Sequence, residues 1–69
     1  MTNERQVTVD LEGESFTGTY TVSRGVVTVT AYFGTKSTQL GGGTPESVAR
    51  MLLHELARRE KHLREREKK

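Results

Sequence analysis

Sixty-nine residues make one domain, and a chain of this size seldom gains more than about 3–5 kcal/mol of net stability from a single core. With no cysteine there is neither a disulfide staple nor a thiolate metal site, so self-association is the remaining aid and a homodimer is expected. The formal charge of +2 is unevenly spread: residues 1–57 carry four Lys/Arg against six Asp/Glu, whereas residues 58–69 carry seven against three.

The first strand is expected near Gln6–Leu11, with Val7, Val9 and Leu11 on one face. The second, about Ser15–Val22, presents Phe16, Gly18, Tyr20 and Val22 to the same side. The third, about Val26–Phe33, adds Val27, Val29, Ala31 and Phe33, and the fourth, about Lys36–Leu40, adds chiefly Leu40. Two-residue turns at Glu12-Gly13, Arg24-Gly25 and Gly34-Thr35 would join them. Pairing outward from those turns sets Val9 opposite Phe16, Val22 opposite Val27, Tyr20 opposite Val29, Phe16 opposite Phe33 and Val29 opposite Leu40. A slip of one residue would turn an apolar set to water, so this agreement points to a four-stranded antiparallel meander. Gly18 and Ala31 fall opposite each other, leaving either a trough in which a helix can lie close or a bulge at the glycine.

Gly41-Gly42-Gly43 then breaks the strand, Thr44 suits an N-cap, Pro45 suits the first helical position, and Glu46 complements the positive end of the dipole. At 100° per residue Val48, Ala49, Leu52, Leu53 and Leu56 share one arc, with Arg50, His54 and Arg58 facing away. The fold class is therefore α+β: a four-stranded antiparallel β-meander of order 1-2-3-4 with one C-terminal α-helix packed on one face. Residues 1–57 form the ββββα domain. Residues 58–69 form a charged extension, either a solvated end or a helix that contacts a partner. Glu55 with Arg59, Glu60 with Arg64, and Glu65 with Lys69 have favourable i,i+4 spacing there. Leu63 lies one heptad after Leu56, so two such helices could meet along Ala49, Leu56 and Leu63.

The other face of the sheet is hydroxylic, carrying Thr8, Thr17, Thr19, Thr21, Thr28 and Thr30 with Asp10, Ser15, Tyr32, Ser37 and Gln39. Threonine suits any solvated sheet face, whereas Tyr32 is a lone aromatic and a candidate contact.

Chemical motifs are scarce. His54-Glu55 begins like a metalloprotease helix, but Arg58 stands where the second histidine belongs. His54 and His62 lie two turns apart, too far for one helix to chelate a metal alone. Lys36-Ser37 lacks the glycines of a phosphate loop, and at Gly41-Gly42-Gly43-Thr44 the proline removes a donor from any anion site. No catalytic, metal or cofactor-binding residue is expected, and the chain reads as a non-enzyme. With no apolar run long enough for a signal sequence or membrane span, a cytoplasmic protein is expected.

The composition leaves two functional readings. One is a small protein-interaction module, an adaptor or accessory protein contacting a partner through Tyr32, Leu56 and Leu63. The other is a weakly sequence-specific nucleic-acid binder using Arg58, Arg59, Lys61, Arg64, Arg66, Lys68 and Lys69, whose affinity would fall steeply with salt. Small archaeal chromatin proteins and dimeric single-strand-binding coactivators are similar in outline, but their tryptophan or basic sheet surface has no counterpart here.

At Gly18-Thr19-Tyr20-Thr21-Val22, Gly25-Val26-Val27-Thr28-Val29, Thr38-Gln39-Leu40-Gly41-Gly42 and Pro45-Glu46-Ser47-Val48-Ala49-Arg50-Met51-Leu52-Leu53, the chain resembles a group of short, uncharacterised bacterial proteins. The resemblance covers about residues 6–57. It implies a compact β-meander plus helix and brings no activity, cofactor or site residue with it.

Overall fold

The computed structural model describes residues 4–67, with side chains through Arg64. Strands β1 (Arg5–Leu11), β2 (Glu14–Ser23), β3 (Val26–Ala31) and β4 (Gly34–Gln39) are followed by one helix, α1 (Pro45–Glu67). The strands form a single antiparallel sheet of order β1-β2-β3-β4, and the helix packs on one face.

The first two hairpins turn where the sequence places them. Glu12 and Gly13 take φ of 52° and 82°, and Arg24 and Gly25 take 52° and 76°. Two successive left-handed residues define the type I′ turn, whose twist matches that of the flanking strands. The register follows, with Val9 opposite Phe16, Tyr20 opposite Val29 and Val22 opposite Val27.

The third hairpin differs from expectation. It turns at Tyr32-Phe33, not Gly34-Thr35, because Ala31 pairs with Gly34. Val29 consequently faces Lys36 rather than Leu40, a slide of four residues. An even slide keeps every side chain on its expected face. Leu40 lies beyond β4, donating its N–H to the Gly25 carbonyl at 2.7 Å. Phe33 sits in the turn rather than in the ladder, yet its ring still meets Phe16 edge-on at 5.5 Å between centroids.

Packing explains the shift. Gly34 has φ +155°, and a Cβ there would lie 3.2 Å from a Leu56 methyl. The glycine therefore serves helix approach rather than the turn. Gly18 does the same two strands away, since its Cβ would sit 2.9 Å from the Thr30 carbonyl oxygen and 3.3 Å from a Leu53 methyl. With Ala31 between them, Gly18 and Gly34 floor the trough on which Leu53 and Leu56 rest.

The core joins Val7, Val9, Phe16, Tyr20, Val27 and Val29 of the sheet to Ala49, Leu52, Leu53, Leu56 and Ala57 of the helix. Each large apolar side chain so buried contributes roughly 1.5–3 kcal/mol. Val22, expected inside, keeps its register but is 43% exposed. It lies beside Thr44, Pro45 and Glu46, where the helix begins and covers it only in part. The Thr44 hydroxyl accepts the Ser47 N–H at 3.2 Å and so caps the helix as expected.

Candidate functional site

The structure distributes the candidate residues over two places. Tyr32 occupies the β3–β4 turn, 82% exposed, with its ring edge-on to Phe33 at 4.8 Å. Leu63, 46% exposed, lies on the helix two turns past Leu56. Phe33, Gly34, Thr35, Leu56, Arg59, Glu60 and Leu63 line one shallow depression at this end of the molecule. Leu56 forms its floor and is itself buried against Gly34. Because Ala49 and Leu56 are both spent on the sheet, they offer no seam to a second helix.

The basic residues divide differently. Arg58 and Arg59 are exposed on the helix. Lys61 reaches back to the β1–β2 turn, 3.5 Å from Glu12 and 3.8 Å from Glu14. Arg64 donates to Glu14 at 2.9 Å, lies 3.6 Å from Glu60, and sets its guanidinium over the Phe16 ring at 5.8 Å. The Glu14 hydrogen bond raises the Arg64 pKa above its ordinary value; desolvation opposes this, and the charges of Glu14 and Glu60 add to it. Arg66, Lys68 and Lys69 lie outside the residues whose side chains are described, as does the Glu65–Lys69 pair. Of the expected helical ion pairs, Glu60–Arg64 is present, while Glu55 instead accepts a hydrogen bond from Lys36 of β4.

Helical periodicity and i,i+4 spacing do not point to these contacts between helix and hairpins. Their signal was nevertheless present in the sequence, since Glu12 and Glu14 flank an acidic turn and the last twelve residues are basic.

On the opposite face, Thr19 pairs with Thr30 and Thr21 with Thr28. The Thr8 and Thr17 hydroxyls lie 3.1 Å apart, and Ser15 donates to Asp10 at 2.7 Å. His54 is half-buried and His62 exposed, and among the described residues no three His, Asp or Glu side chains come together as a metal site. No helix among the described residues is long and apolar enough to cross a membrane.

Comparison with protein families, curated proteins and solved structures finds no match to this chain.

Proposed function

We propose that the chain is a non-enzymatic protein-interaction module that works as a homodimer and docks a partner at the Tyr32–Leu63 end. On this proposal it is a small bacterial protein, as the resemblance implies, and a cytoplasmic one. The observation that carries the proposal is the depression lined by Phe33 and Leu63 and rimmed by Arg59 and Glu60, with the exposed Tyr32 ring set edge-on against Phe33. An exposed aromatic beside an aliphatic side chain, ringed by charge, is the composition of an interface anchor. Of the exposed large hydrophobics, Leu63 lines this depression and Tyr32 packs on its lining residue Phe33, whereas Val22 and Met51 do neither.

Nucleic-acid binding through the basic helix end is the second reading, favoured by the exposure of Arg58 and Arg59. It is set back by Lys61 and Arg64, whose charges already meet Glu12, Glu14 and Glu60. A phosphate backbone would have to displace those carboxylates.

The deciding experiment is affinity capture with the wild-type chain and the Tyr32→Ser/Leu63→Ser double variant, alongside binding to single- and double-stranded DNA and RNA over a salt series. Both substituted side chains are exposed, so the variant should fold normally. A partner that the wild type holds and the variant loses supports the module. Equal capture by both proteins, or nucleic-acid binding at physiological salt that falls steeply with added salt, overturns it.

A further inference from the structure

The meander leaves β1 and β4 as edges. In β1 the direction of each free backbone group follows from the hairpin. A two-residue turn makes Leu11–Glu14 a narrow, hydrogen-bonded pair, so by alternation Val9–Phe16, Val7–Gly18 and Arg5–Tyr20 are narrow as well. The intervening pairs are the wide-bonded kind in which side chains approach most closely, as the Thr8–Thr17 and Asp10–Ser15 contacts do. The N–H and C=O groups of Gln6, Thr8 and Asp10 therefore point away from the sheet, unpaired within it.

We propose that this edge pairs antiparallel with β1 of a second copy, about a two-fold axis at Thr8, joining the two sheets into one. The inference rests on the homodimer reading and specifies its interface. Only even-numbered residues offer outward groups, so even must pair with even: Thr8 with Thr8 of the second copy, and Gln6 with Asp10. Odd residues then face odd, placing Val7 opposite Val9 on the helix side. Both helices consequently lie on the same face of the continuous sheet. This register engages all seven residues of the strand, and a shift by two in either direction loses part of the ladder.

Charge agrees with the direction of pairing. Antiparallel alignment brings Arg5, at the basic start of one strand, beside the Asp10-Leu11-Glu12 end of the other. Arg50, on the helix flank overlooking Val9 and Asp10, is paired with Glu46 at 2.8 Å, which offsets part of the positive charge beside this edge.

The other edge is less suited. β4 reads Gly-Thr-Lys-Ser-Thr-Gln, has no apolar side chain, and starts on a glycine at φ +155°. β1 has no proline, glycine or bulge to interrupt an added strand.

A single introduced thiol tests the axis, because the chain has no cysteine. Facing residues of a narrow antiparallel pair have Cα atoms about 5.5 Å apart, within disulfide reach. Thr8→Cys should form a disulfide-linked dimer on mild oxidation, whereas Ser37→Cys on β4 should stay largely monomeric on a non-reducing gel. Thr8→Pro removes an N–H that the single subunit does not use, and light scattering should find it monomeric with its circular dichroism retained. If the wild type is a dimer, failure of Thr8→Cys to cross-link together with a dimeric Thr8→Pro would overturn this interface and leave the homodimer standing. A wild type that stays monomeric at high concentration would overturn both.

Discussion

The two halves of α1 are held to the same sheet by different forces. From Pro45 to Ala57 the helix buries Ala49, Leu52, Leu53, Leu56 and Ala57 and owes its place to apolar area. From Arg58 to Arg64 no side chain is buried in the core; Lys61 and Arg64 pair with the acidic β1–β2 turn, and Arg64 also lies over the edge of the core at the Phe16 ring. Apolar burial is insensitive to screening and sets global stability, while exposed ion pairs are weak, salt-dependent and local. One helix thus contains a part that unfolds only with the domain and a part that can loosen alone.

Substitution in the apolar half should have the largest effect. Leu53→Ala, at a fully buried site over Gly18, should lower unfolding free energy by about 2–5 kcal/mol in urea titration. Next, Gly18→Ala forces a Cβ against the Thr30 carbonyl and the Leu53 methyl, which should cost about 1–3 kcal/mol and lower the melting temperature. Loss of the helix cap in Thr44→Ala should cost about 1 kcal/mol, visible as a smaller shift in the same titration. The electrostatic half should respond least. Glu14→Gln should scarcely move the urea midpoint but should speed amide exchange in the last turns of the helix, leaving 45–57 unchanged. High salt should reproduce that effect in the wild type. A large global destabilisation by Glu14→Gln would erase the distinction between the halves.

The legibility of the chain divides along similar lines. Glu12-Gly13 and Arg24-Gly25 announce their hairpins because a left-handed turn position selects glycine locally. Val7, Val9, Val27 and Val29 declare the buried face through period-two alternation, and Thr44 declares the helix start. Gly34 misleads because its role is to admit Leu56, a neighbour far along the chain, so local turn chemistry points two residues past the true turn at Tyr32-Phe33. The depression that joins Phe33 to Leu63 has no signal in the sequence beyond the separate residues, since it depends on how the helix crosses the sheet. The pairing of Lys61 and Arg64 with Glu12 and Glu14 shows in sequence only as opposite local charge, without a register to join them.

The nearest-neighbour order of the strands also bears on how the chain reaches this structure. Each strand finds its partner across a two-residue turn, so sheet formation requires only short loops to close and carries little entropic penalty. The helix must search farther, and the contact between Arg64 and Glu14 spans 50 residues. On this ground hairpin nucleation followed by helix docking is the expected sequence of events, with the last charged turns settling after the rate-limiting step. Substitutions at Lys61 or Arg64 should therefore leave the refolding limb of a chevron plot unchanged and show themselves, if at all, in the unfolding limb.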